Sequence, residues 1–208
     1  MKEDISECVQ IVMDKTVESY KAVLKQYFPS FEKRFMERNL TFFFAHNYLN
    51  HVANSIVWQE LPIKIESNSR TGHIDTLIID SENKFIIFIE AKCLARESRL
   101  NKRSHEILRD LKRLNDSIKL TTNTSVYPQF PEEVKGYAKY ALILADIWSS
   151  EEETISEIDK SMSDIIKEDT SLACKEIFGD RKILKYEFGE NPIEKILNYN
   201  IFYHLYKF

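Results

Sequence analysis

The chain has 208 residues, 43% of them hydrophobic and 30% charged, a globular balance large enough to build one sizeable core. Four glycines and five prolines exclude collagen-like and low-complexity designs and a Gly-rich phosphate cradle, while 13 phenylalanines and 10 tyrosines exclude chain-wide disorder. With 33 acidic against 29 basic residues the net charge is −4, so contact with nucleic acid or an anionic membrane requires a local basic patch, not a global field.

Ile5, Val9, Val12, Val17, Tyr20, Leu24 and Phe28 recur near a helical period and stop at Pro29, which predicts a first helix over residues 4–28. Ser30 is placed to cap a second one, because residues 31–55 contain no Gly or Pro and repeat Leu40, Phe44, Tyr48 and Val52 at spacings of four. From Val57 the texture changes to short apolar runs at 57–65, 73–80 and 84–92, with the polar turn SENK between the last two. Three strands follow, the last two a hairpin.

Residues 97–118 return to helical spacing through Ile107, Leu108, Leu111, Leu114 and Ile118. Their polar flank is basic, with Arg96, Arg99, Lys102, Arg103, Arg109, Lys112 and Arg113 against Glu97, Glu106 and Asp110. Residues 121–133 read as a loop and 137–148 as a buried strand. Residues 150–170, with eight acids against Lys160 and Lys167, read as a solvated amphipathic helix facing away from any anionic ligand. A last strand at 183–188 and a last helix at 191–206 complete the chain. The expectation is one α/β domain with a central mixed sheet flanked by helices. It comprises N-terminal helices (1–55), a core (56–148) and a C-terminal helix, strand and helix (149–208).

Cys8, Cys93 and Cys174 are odd in number, far apart and form no CxxC pair, which points to a reducing, cytoplasmic setting without a disulfide framework or zinc site. The acidic N-terminus and the strand-length apolar runs predict neither export nor membrane insertion.

The hairpin carries the chemistry. A symmetric even-length loop at SENK pairs residues whose numbers sum to 165, so Asp80 faces Phe85, Leu77 faces Phe88 and Asp75 faces Glu90. Cβ atoms across such a pair stand ~5 Å apart, and like charges so placed destabilise a sheet unless something offsets them. A divalent cation does so. Alternation sets His73, Asp75, Leu77 and Ile79 on one face, with Phe88, Glu90 and Lys92 on the matching face of the next strand. Hard cations such as Mg²⁺ are held by one or two carboxylates with carbonyl, water and phosphate oxygens, and a neighbouring lysine stabilises an attacking hydroxide and growing phosphoryl charge. These residues read as a phosphodiester hydrolase site.

At these positions the sequence resembles the PD-(D/E)XK nuclease superfamily, whose motif is an Asp, a spacer and (Asp/Glu)-X-Lys on the next strand. Here GHID ends at Asp75 and Glu90-Ala91-Lys92 follows 15 residues later, with Ile74 in place of the usual proline. The resemblance covers roughly residues 30–115 and implies a restriction-endonuclease-like fold and a Mg²⁺-dependent nuclease, with Mn²⁺ able to substitute. Asp75, Glu90 and the Ala91 carbonyl would bind the metal and Lys92 would activate water. Family members often add a Glu on a helix before the sheet, a placement that Glu37 matches and to which Glu60 on the first strand is the alternative. Arg96, Arg99, Lys102, Arg103 and His73 are candidates for nucleic-acid contact. The implied substrate is DNA, with RNA left open, in bacterial restriction or defence, and double-strand cutting would require a homodimer or a larger complex. Two other readings stay open: a catalytically silent nucleic-acid-binding or assembly subunit of the same fold, and an unrelated α/β interaction protein.

Overall fold

A computed structural model describes residues 4–26, 37–64, 71–94, 109–110, 112–115, 130–148, 156–158, 160, 175–186 and 197–208. The first apolar stripe forms helix α1 (Ile5–Gln26), with Ile5, Val9, Val12, Val17, Tyr20 and Leu24 all buried; Phe28 lies outside the described residues, as does Ser30. Helix α2 (Glu37–His51) buries Leu40, Phe44 and Tyr48, and Val52 just beyond it, as their spacing of four predicts. No helix among the described residues is long and apolar enough to cross a membrane.

The three predicted strands are β1 (Ser55–Lys64), β2 (Thr71–Asp80) and β3 (Phe85–Cys93). Leu77 pairs with Phe88 and Asp80 with Phe85, the register expected from the turn. Asp80 fixes that turn from inside the protein. Its Oδ1 accepts a 2.8 Å hydrogen bond from the Asn83 backbone, and its Oδ2 accepts another from the Tyr48 hydroxyl at 2.8 Å. The hairpin is thereby tied to α2, and Lys84 (φ 63°) completes the reversal in the left-handed region.

After β3 the chain crosses over through helical residues 109–110 and 112–115 and a four-residue helix, Glu132–Lys135, to β4 (Ala138–Trp148), which lies parallel to β3. With β5 (Lys175–Tyr186) and β6 (Leu197–Lys207) the result is a six-stranded mixed sheet of order β1-β2-β3-β4-β6-β5. One face packs Ile78, Ile87, Ile89, Leu142, Leu144 and Tyr203 against α1 and α2, and the other packs Leu77, Phe88, Ile143 and Phe202 with Leu114 and Ile158. The α/β class with helical elements on both faces is present. Ser156, Glu157 and Lys160 are exposed around buried Ile158, as an amphipathic helix requires, and the rest of 150–170 lies outside the described residues.

The C-terminal third departs from expectation. Where a final helix was expected over 191–206, residues 197–207 form β6, an inner strand between β4 and β5. Asn198, Asn200 and His204 alternate with Tyr199, Ile201, Tyr203 and Leu205, which fill one cluster, but Phe202 and Tyr206 interrupt that polar face and fill the other cluster. Their aromatic and β-branched side chains suit a strand better than a helix. The expected strand at 183–188 starts eight residues earlier, at Lys175; Glu187 and Phe188 lie outside the described residues. Its first half hides behind Glu176, Gly179, Asp180 and Arg181 because β5 is an edge strand with a bulge between Glu176 and Phe178.

Gly179 is required where it stands. The buried His204 ring of β6 lies against it, held by a 2.6 Å contact from Nδ1 to Glu176 Oε1, and a Cβ on residue 179 would meet ring atoms at 2.3 Å. Gly179→Ala is therefore expected to lower stability by ~1–3 kcal/mol in denaturant unfolding, the ordinary cost of overpacking. In a His204→Ala background that cost should nearly vanish; an equal cost in both backgrounds would place the strain elsewhere.

Candidate active site

The site forms where β2 and β3 run past their last register pair, Thr76 with Ile89. Asp75, half-buried on β2, reaches across to β3, where its Oδ2 accepts a 2.8 Å hydrogen bond from the Ala91 backbone N–H. The Asp75 carboxylate is thus held against the peptide that separates Glu90 from Lys92. Glu90 stands on an inner strand and is 1% exposed, one of the most deeply buried acids among the described residues. Asp75 thus lies beside Glu90, and Lys92 follows two residues later on the same strand.

Two further groups arrive from the crossover. Arg113 donates through Nη2 to Glu90 Oε1, and its Nη1 lies 3.5 Å from Asp110 Oδ1. Asp110 is itself buried, and its Oδ2 lies 2.8 Å from Lys92 Nζ. Charges therefore alternate through the cluster: Glu90, Arg113, Asp110, Lys92, with Asp75 beside Glu90. Leu114, packed on the sheet, brings this helical turn down onto the site.

Burial pushes the Glu90 carboxyl up to about 8; the Asp75 charge adds to the rise, Arg113 opposes it, and Asp110 reinforces it. For Arg113, burial works against the charge, but Glu90, Asp110 and Asp75 outweigh it and raise its affinity for the proton. Glu90 Oε2 is buried and makes no hydrogen bond. An orphaned carboxylate oxygen beside a second carboxylate is an unfavourable arrangement that a cation would relieve.

The donor set suits a hard cation. Among the described residues no three His, Cys, Asp or Glu groups are arranged to hold a metal ion, so a closed zinc-type cage is not present. Asp75, Glu90 and the Ala91 carbonyl make the smaller protein set, one or two carboxylates plus carbonyl and water, with which Mg²⁺ is commonly held.

The other expected residues fall differently. Glu60 lies on β1 opposite Asp75, between the pairs Gln59 with Thr76 and Leu61 with Ile74. Its φ of 54° departs from extended geometry within the strand, and its half-exposed carboxylate pairs with Arg38 Nε of α2 at 3.1 Å. His73 is exposed, opposite Pro62. Glu37 opens α2, but its side chain lies outside the described residues, as do Arg96, Arg99, Lys102 and Arg103. Of the basic crossover residues that are described, Arg109 and Lys112 are exposed while Arg113 turns inward.

Asp110 and Arg113 are site residues that the motif does not announce. A signal exists for Asp110: it lies four residues before Leu114 and three after Ile107, so it shares the apolar stripe of its helix. Comparison with protein-family models gives no match, and comparison with curated proteins gives none either.

The raised Glu90 carboxyl has a measurable consequence. Unfolded, it ionises near its ordinary value of 4.5, and folded only near 8, so between these values the folded state holds the extra proton. The stability this contributes is full below pH 4.5 and is lost as pH rises to about 8, at up to ~1.4 kcal/mol per pH unit. Glu90→Gln, which cannot ionise, should gain on wild type by a few kcal/mol between pH 5 and pH 8 in metal-free denaturant titrations. A stability difference that does not change with pH would show that Glu90 stays ionised in the fold.

Proposed function

We propose that this chain is a divalent-cation-dependent nuclease with a restriction-endonuclease-like fold, hydrolysing phosphodiester bonds of DNA. One observation carries the reading: Asp75 is held on the Ala91 peptide, so that two carboxylates from adjacent strands meet beside Lys92, with one Glu90 oxygen buried and unbonded. The mixed sheet with its antiparallel hairpin and parallel crossover strand provides the setting that the motif resemblance implies.

Asp75, Glu90 and the Ala91 carbonyl would hold Mg²⁺, which when bound supplies positive charge at the scissile phosphate. Lys92, anchored by Asp110, orients the attacking water and stabilises negative charge as it grows on the phosphoryl oxygens. Water attacks phosphorus in line, the bond to the 3′ oxygen breaks, and a 5′-phosphate remains. The Asp110 anchor matters because the Lys92 side chain, only 16% exposed, must keep one orientation. Restriction or defence in a bacterial cell is the proposed setting, and a homodimer or a larger defence complex would permit cutting of both strands.

A second reading has a specific observation in its favour. Glu90 is paired with Arg113 and Lys92 with Asp110, the pairing expected if the cluster only holds the crossover to the sheet in a silent nucleic-acid-binding or assembly subunit.

Supercoiled, linear and single-stranded DNA, with an RNA alongside, should separate the two. Cleavage is expected in Mg²⁺ or Mn²⁺ and not in EDTA, with Lys92→Ala reduced by roughly a hundredfold or more. Glu90→Gln should be inactive although folded. Absence of cleavage together with absence of Mn²⁺ binding by calorimetry would leave the silent subunit.

A further inference from the structure

The cluster has three acids, Asp75, Glu90 and Asp110, against two bases, Lys92 and Arg113. With all groups ionised its charge is −1; a divalent cation brings it to +1, and a phosphodiester returns it to zero. Without Arg113 the cation-loaded site would already be neutral and would hold no net attraction for a phosphate. Arg113 also stands in the cation's way, because its guanidinium already neutralises Glu90 Oε1.

We propose that Arg113 is a positioning residue with two roles: it is the internal counter-ion of Glu90 that a divalent cation displaces, and after displacement it is a phosphate contact tethered by Asp110. The proposal rests on the metal-dependent reading above. Arginine cannot lose its proton at any ordinary pH, so it leaves Glu90 only by moving. The geometry provides for that movement. Its side chain is 26% exposed, whereas Glu90 and Asp110 are almost wholly buried, so of the three groups only Arg113 keeps contact with solvent. Asp110, anchored to Lys92 at 2.8 Å, stays in place and retains the guanidinium through the Nη1 side, 3.5 Å away. With Nη1 retained by Asp110, the Nη2 edge released from Glu90 is left to donate to a phosphate oxygen. Meanwhile Glu90 Oε2, with no hydrogen bond, offers the cation a first point of attachment before Arg113 departs.

The two roles have opposite signs, which a purely structural ion pair would not produce. In calorimetry of the 208-residue chain with Mn²⁺ alone, Arg113→Gln should bind roughly tenfold more tightly than wild type, because a nearby positive charge has been removed. In Ca²⁺, used to hold DNA without cutting, the same variant should bind a short duplex severalfold more weakly. Arg113→Lys, which keeps the charge, should bind Mn²⁺ close to wild type and provides the comparison if Arg113→Gln folds poorly by circular dichroism. Unchanged or weaker Mn²⁺ binding by folded Arg113→Gln, with wild type still binding, overturns the counter-ion role and leaves the metal site standing. If neither protein binds Mn²⁺, the metal-dependent reading falls and this proposal with it.

Discussion

A carboxylate buried on an inner strand of a β-sheet is the constraint on which the rest of this structure depends. Glu90 sits where two neighbouring strands and an apolar face leave it 1% exposed, and an isolated charge there would cost several kcal/mol. The chain answers by placing a cation over it. That demands that the crossover after β3 lie across this face, that Leu114 fix its depth, and that Arg113 point inward while Arg109 and Lys112 stay outside. Asp110 then balances Arg113 and Lys92 together. The position of a helix is thus set by the electrostatics of one strand residue as much as by apolar burial.

The hairpin transmits a second constraint. Because side chains alternate, a one-residue slip of β2 against β3 would turn Asp75 away from Glu90 and carry Leu77 from Phe88 to the opposite face of the sheet. The register is held from the far end, at Asp80, whose carboxylate binds the turn backbone and the Tyr48 hydroxyl. Tyr48 belongs to the face of α2 that packs on the opposite side of the sheet. The placement of Asp75 therefore depends on a turn and a helix that never approach the site.

These dependencies decide what could be read in advance. The hairpin register follows from local turn chemistry and was legible, and so were the buried faces of α1 and α2, because their spacing of apolar residues is a property of each helix alone. The C-terminal strands were not. Tyr199, Ile201, Tyr203 and Leu205 alternate with Asn198, Asn200 and His204, but apolar Phe202 and Tyr206 on the second face blur that period of two. For Arg113 the difficulty is different: nothing local separates an arginine that turns inward from Arg109 or Lys112 on the same basic helix. Only the phase of Asp110 with Leu114 hints that this turn faces the core, and the pairing with Glu90 spans 23 residues. Glu60 shows the converse, a residue whose strand position was legible while its positive φ and its turn toward Arg38 were not.

The choice between a structural and a catalytic origin for the cluster turns on how completely its polar atoms are satisfied. Buried ion pairs contribute little net stability, since apolar residues of similar volume often replace them at no cost, so retention of such a network calls for a reason beyond folding. A network selected only to hold a helix on a sheet would gain most by satisfying every buried oxygen. Here Glu90 Oε2 is left without a hydrogen bond while a second carboxylate, Asp75, is fixed beside it by the Ala91 amide. Burial, with the Asp75 charge adding to it, raises the Glu90 carboxyl and weakens the fold at neutral pH. Local stability is lowered where two acids meet beside a strand peptide and a lysine, the arrangement that the proposed cation site would relieve.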